Sequence, residues 1–235
     1  MRISFILATI LLTSCAELKT ALQSTSDTPA QVPLTENEVI SGLKAALEKG
    51  IKAASAQASK EDGYYRNSLI TIPFPEDARK VETKLRQIGL GGEVDKFVLS
   101  LNRAAEQASK KSVDVFVNAI KQMSIADAWG ILKGEEDAAT QYLKRTTTPK
   151  LKQEFKPIVR NALDEVNATK YYTDLVTTYN KIPFITKVNP DLDDYATQMA
   201  IDGLFVLVAQ EEAKIRKDPV ARTTDILKRV FGYKE

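Results

Sequence analysis

Met199-Ala200-Ile201-Asp202-Gly203-Leu204-Phe205-Val206-Leu207-Val208-Ala209 is apolar around the whole helical circumference apart from Asp202. A helix apolar on all sides is buried on all sides. This stretch is too short to span a bilayer, so it predicts the central helix of a bundle. Helical spacing extends it from about Leu192 to Lys217, the longest helix expected, ended by Asp218-Pro219. Asp202 then needs a cation or hydrogen bonds, because a lone buried carboxylate is costly. Asp191, Asp194, Tyr195, Gln198 and Asp202 fall at i, i+3, i+4, i+7 and i+11, a polar stripe leading into the apolar centre.

Working outward, every other segment also reads as helix or loop. Thr35 and Glu38 form a capping box ahead of Val39, Leu43, Leu47, Ile51, Ala54 and Ala58 at helical spacing. Asp62-Gly63 breaks that helix, and Tyr64 to Pro75 is extended or looped. Helices follow from about Glu76 to Gly89, Glu93 to Lys110 and Val113 to Met123. Ser124 and Asp127 cap a short one closed by Gly134. Glu135 to Thr146 reads as a further helix, and Thr148-Pro149 starts another in cap-then-proline order. Ala168 to Asn180 and about Thr224 to Phe231 complete the set. The class is all-α, a single bundle of about eight to ten helices. A short two-stranded ribbon of Leu69–Ile72 with Phe184–Val188 stays open as an alternative to plain loops.

Composition removes much chemistry. The chain has no histidine, which excludes His-dependent triads, His zinc sites and a His general base. Its 33 Lys and Arg against 31 Asp and Glu form no long run of one sign, so neither nucleic acid nor a polybasic membrane patch is suggested. Asn189 to Asp194 lacks the glycine and distal glutamate of a calcium loop and reads as a helix cap. Ser41-x-x-Lys44 has no Lys-Thr-Gly to accompany it, and Gly89-Leu90-Gly91-Gly92 lies between helices rather than after a strand. No cofactor or metal is expected.

On the helix from Glu93, Val94, Phe97, Val98, Leu101, Ala105 and Ala108 form the apolar face. Asn102, Arg103 and Glu106 lie opposite with Leu99, so that face is partly covered too. Arg103 and Arg222 are the cations available to Asp202. Two readings of such a cluster stand: an ion-pair network that fixes helix register, or a polar pocket for a ligand.

The N-terminus carries an address. Met1-Arg2 precedes an apolar run from Ile3 to Leu12, which ends in Leu12-Thr13-Ser14-Cys15. That ending resembles a lipobox, in which the thiol takes diacylglycerol through a thioether and cleavage falls just before it. Cys15 is the only cysteine in the chain, so disulfides play no part and the fold must hold by its core. Residues 1–14 then form the signal peptide, 15–34 the lipidated cysteine with a polar tether containing Pro29 and Pro33, and 35–235 the helical domain. Ala16, not aspartate, follows the cysteine, which points to the outer membrane, with the domain facing the periplasm.

Several segments together resemble a known bacterial family. They are Gly42 to Leu47, Lys60-Glu61-Asp62-Gly63, Leu101-Asn102-Arg103-Ala104-Ala105-Glu106, Asp137 to Tyr142, Asp191 to Tyr195, Asp202-Gly203-Leu204-Phe205 and Ala221 to Asp225. Their order and spacing over about residues 40–232 are similar to domain-of-unknown-function family forty-one ninety-seven, helical proteins exported by Gram-negative bacteria. The resemblance implies one domain and an envelope location, and brings no activity. If its members share a site, the polar residues of those segments are where it lies: Asn102, Arg103, Glu106, Asp137, Thr140, Tyr142, Asp194, Tyr195, Asp202, Arg222 and Thr223.

The sequence leans away from an enzyme and toward an envelope lipoprotein that binds a small ligand or an envelope protein partner. The alternative is a histidine-independent hydrolase using an Asp/Glu/Arg cluster, since acid–base chemistry does not require histidine. In either case the lipid is the membrane device. Expressed in a Gram-negative host, Cys15→Ser is expected to leave the chain unlipidated and outside the membrane fraction; retention of that variant on membranes overturns the anchor.

Overall fold

The computed structural model describes residues 35–165, 167–181, 183–184, 187–218 and 228. The expected signal peptide, Cys15 with its tether, Arg222, Thr223 and the expected helix over Thr224–Phe231 lie outside the described residues. Eight α-helices are described: α1 Glu36–Ser59, α2 Arg79–Gln87, α3 Gly91–Ser109, α4 Ser112–Gln122, α5 Ile125–Lys133, α6 Ala138–Glu165, α7 Ala168–Tyr179 and α8 Leu192–Lys217. A 3₁₀ turn, Glu76–Ala78, precedes α2. The protein is an all-α bundle.

Local chemistry starts the helices where the sequence places them. Thr35 Oγ1 accepts from the Glu38 amide at 3.3 Å, and Glu38 Oε2 accepts from the Thr35 amide at 2.9 Å. The Ser124–Asp127 box opens α5 in the same way, at 3.1 and 3.0 Å. Asp191 caps α8 by accepting from the Asp194 amide at 3.0 Å. The buried face of α1 then runs Val39, Leu43, Ala46, Leu47, Gly50, Ile51, Ala54 and Ala58, the i, i+3, i+4 pattern of a core-facing stripe. At Gly50 an added Cβ would sit 3.4 Å from Glu211 Cβ and 3.6 Å from Ile215 Cδ1, so this small residue lets α1 lie close against α8.

The break expected at Thr148-Pro149 does not occur. α6 runs unbroken through Pro149 and Pro157 and, at 28 residues against 26 for α8, is the longest helix. An interior proline costs about 3 kcal/mol through its missing N–H and its clash with the carbonyl four residues back. Both prolines are exposed, and so are Arg145 and Gln153, whose carbonyls lose a donor. The buried stripe Leu143, Thr147, Leu151, Phe155, Val159 and Leu163 continues straight past them. Burying four such side chains beyond Pro149 contributes about 1.5–3 kcal/mol each, which outweighs the proline penalty. Just before Pro149, the Thr146, Thr147 and Thr148 hydroxyls donate back to the carbonyls of Tyr142, Leu143 and Lys144 at 2.9, 2.6 and 2.6 Å.

The ribbon does not form either: no strand is present among the described residues. Each expected strand instead meets an asparagine side chain that imitates a strand partner. The Ile72 amide donates to Asn102 Oδ1 at 2.8 Å, while Asn102 Nδ2 donates to Ile72 O at 2.9 Å. Likewise the Val188 amide donates to Asn180 Oδ1 at 2.8 Å, and Asn180 Nδ2 donates to Val188 O at 2.7 Å. With the backbone groups of Ile72 and Val188 satisfied in this way, neither residue needs a strand partner.

α8 lies at the centre, packed on α1, α3, α6 and α7. Its apolar run is not buried on every side, however. Asp202 is half-buried and Val206, one turn on, is 39% exposed, so one line of the helix reaches solvent. On the buried side, the Tyr64 hydroxyl donates to the Ala200 carbonyl at 2.5 Å. At Gly203 a Cβ would stand 2.8 Å from Tyr64 Cε1 and 3.0 Å from Ile70 Cβ. Phe205 closes the layer edge-on to Phe116, with ring centroids 5.7 Å apart. Gly203→Ala is expected to destabilise by about 1–3 kcal/mol through overpacking, despite the better helix propensity of alanine. Urea unfolding of the variant at or above the wild-type midpoint would refute that contact.

Candidate functional site

The turn after α1 is the first place where polar residues gather. Asp62 has φ 62° and hydrogen bonds fold the chain back on itself, from the Gly63 amide to Lys60 O at 3.0 Å. A Cβ at Gly63 would lie 2.4 Å from Gln57 O and 2.6 Å from Ala58 O, so only glycine fits. This turn sits on the polar face of α3. Glu106 Oε1 accepts from the Tyr64 and Tyr65 amides at 3.1 and 3.3 Å. Arg103 joins Glu106 and Asp62 at 2.7 Å each, reaches Glu61 at 3.5 Å, and lies over the Tyr65 ring. The hydrogen bond to Glu106, and then that to Asp62, hold the guanidinium above its ordinary pKa against the opposing effect of burial. Asn102 is fully buried and also donates to Val98 O at 2.8 Å.

Asn102, Arg103 and Glu106 therefore come together, but not with Asp202. Arg103 is committed to Glu106 and Asp62, and Asp202 has no hydrogen bond or ion pair among the described residues. Its half-exposed position supplies water in place of a cation, which is why the pairing expected from sequence is unnecessary. Both Glu106 oxygens and the guanidinium are engaged within the cluster, which borders a shallow cavity of about 300 Å³ lined by Ser59, Glu61, Arg103, Glu106, Gln107 and Lys110.

Thr140 joins a different carboxylate, one the sequence reading passed over. Glu212 on α8 is buried; its Oε1 accepts from the Ala139 amide at 3.0 Å, and its Oε2 from the Thr140 amide and hydroxyl at 2.8 and 2.7 Å. Those amides belong to the first turn of α6, so Glu212 caps that helix from another element. Arg216 bonds Glu212 at 2.9 Å and the Ile131 carbonyl at 2.8 Å. A signal was available: Leu204, Val208, Glu212 and Ile215 share one stripe, and a carboxylate on a core stripe demands partners. Asp137 stays on the surface, accepting from Gln141 Nε2 at 2.8 Å. Tyr142 is buried below Arg145, its pKa raised first by that burial.

Asp194 and Tyr195 line an open groove of about 340 Å³ between the Pro75–Asp77 segment, α6, α7 and the start of α8. Lys156 Nζ reaches Asp194 at 2.5 Å and Asp191 at 3.5 Å. The hydrogen bond to Asp194 is the main reason its pKa is raised. The Tyr195 hydroxyl donates to Pro73 O at 3.1 Å and the Tyr172 hydroxyl to Asn189 O at 3.3 Å, tying the walls together. Burial first, then Glu76 for Tyr195 and Asp77 for Tyr172, pushes both phenols up to about 12, so they stay protonated donors. Beside the groove, Arg160 holds Asp193 Oδ2 at 2.5 Å while the buried Oδ1 has no partner. Among the described residues no group of three or more Cys, Asp or Glu side chains is placed to hold a metal ion.

The Arg103 cluster and the Glu212 cap are distinguished from a site by their effect on stability. Glu106→Ala and Glu212→Ala each remove the acceptor of two backbone amides and one partner of an arginine, and each is expected to cost about 3–5 kcal/mol. Thermal unfolding of either variant within 1 °C of wild type would show that its bonds do not support the fold.

No curated protein and no solved structure matches the chain. A family model described as "Protein of unknown function (DUF4197)" matches residues 33–232. That span contains the turn, α3 and its cluster, the Glu212 cap and the groove. With nearly all of the helical region covered, the chain belongs to the DUF4197 family.

Proposed function

We propose that this chain is an exported lipoprotein, anchored through Cys15 at the periplasmic face of the outer membrane, and that its helical domain binds a small ligand rather than catalysing a reaction. The anchor rests on the lipobox-like Leu12 to Cys15 and on Ala16 after it. No described helix is long and apolar enough to cross a membrane, which is compatible with attachment by lipid.

The observation that carries the binding reading is the groove beside α8. Its volume of about 340 Å³ falls within the range of small-molecule sites, and it mixes the apolar surfaces of Pro75, Tyr172 and Met199 with a few polar groups. A hydrolase would need carboxylates free to take and give protons in a cleft. In the Arg103 cluster Glu106 instead accepts backbone amides and an arginine, bonds that a proton-transfer role would break. In the groove Asp191 and Asp194 share Lys156, which leaves Asp77 without a second free carboxylate for an acid–base pair.

A thermal-shift screen of the full chain in detergent against envelope metabolites tests this. A ligand at a hundred times its Kd contributes about 2.7 kcal/mol, which raises Tm by about 5–10 °C in a protein of this size. A shift abolished by substitutions in the groove is the expected result. A comprehensive screen with no shift, or turnover of a ligand that binds there, overturns the reading.

A further inference from the structure

Resting on the groove as a binding site, the geometry points to its ligand class: a small zwitterion with an apolar side group, of amino-acid to dipeptide size. The first observation is Thr197. It lines the groove, is only 3% exposed, and its Oγ1 has no hydrogen-bond partner. A buried hydroxyl left unbonded is unfavourable by about 1–3 kcal/mol. Water does not reach this oxygen, and a turn about χ1 that carries the hydroxyl into the groove to meet a polar ligand recovers that.

The second observation is the charge balance of the walls. Lys156 is shared by Asp194 and Asp191, so those three groups are already satisfied among themselves. Lys152 and Asp77 also line the groove, and neither has an ion pair or hydrogen bond among the described residues. A simple amine would answer Asp77 and leave Lys152 alone, while a simple carboxylate would do the reverse. A molecule with one ammonium and one carboxylate answers both. Pro75, Met199 and the Tyr172 ring supply apolar surface for a side group. The half-buried Gln198 offers both a donor and an acceptor.

Isothermal titration of the full chain tests the class with four probes: L-leucine, leucyl-glycine, isoamylamine and 4-methylpentanoate. At least one of the first two is expected to bind about tenfold or more tighter than the amine or the acid, which each lack one charge. Lys152→Met should weaken the zwitterion about tenfold and leave isoamylamine unchanged. Asp77→Asn should weaken the zwitterion and leave 4-methylpentanoate unchanged, and Thr197→Val should weaken whatever binds. Single-charge probes binding as tightly as the zwitterion, or a zwitterion indifferent to both charge variants, overturns the class while leaving a binding groove. The same holds if all four probes are silent but the thermal-shift screen yields a groove ligand. Silence in both experiments removes the binding reading as well.

Discussion

The hydrogen bond from the Tyr64 hydroxyl to the Ala200 carbonyl, made possible by the missing side chain of Gly203, lays the irregular 60–75 segment directly on the central helix. That segment has no helix or sheet of its own; turns within it bond the amides of Gly63, Arg66, Asn67, Ile70 and Thr71, and α3 adds side-chain partners. Glu106 takes the amides of Tyr64 and Tyr65, and Asn102 takes both polar groups of Ile72. The segment then arrives at Pro73, where the Tyr195 hydroxyl holds it, and at Asp77, which forms a wall of the groove. The polar cluster on α3 thus shapes the groove without lining it.

Two buried glutamates, one on α3 and one on α8, do the same work. Glu106 closes a turn and Glu212 closes a helix start, each accepting two backbone amides and each held by an arginine three or four residues along its own helix. A carboxylate accepting several charge-assisted bonds is strong where an isolated buried charge would be ruinous. Both amide pairs are far from their glutamate in the chain, so these bonds fix tertiary register rather than local helix. Asn102 and Asn180 extend the theme to segments that would otherwise have sought strand partners.

The groups that converge at the groove come from four elements: the 3₁₀ turn, α6, α7 and the start of α8. Asp194 and Tyr195 were legible as part of a polar stripe, because helical spacing alone puts them on one face. Lys156 and Thr197 were not. Lys156 is one of many exposed-looking lysines, and Thr197 is set apart only by the burial that α8 acquires when packed. Glu212 was overlooked although it interrupts an apolar stripe, and the pairing of Arg103 with Asp202 was expected only because both looked buried. Once Asp202 faced the solvent-reaching line of α8, Arg103 found Glu106 and Asp62 nearer at hand.

What the sequence determined by itself is everything decided within one or two helical turns. The boxes at Thr35 and Ser124, the Asp191 cap, the Asp62-Gly63 turn and the stripe of α1 all join a side chain to backbone or neighbours a few residues away, and so specify an all-α chain. What only the tertiary structure decided is every outcome set by burial between distant elements. It carried α6 through two prolines, replaced a ribbon by asparagine amides, turned Glu212 into the cap of another helix and left Thr197 buried without a partner. The physical reason is that local hydrogen bonds depend on spacing along the chain. Desolvation depends on what comes to lie on top, and no spacing records that.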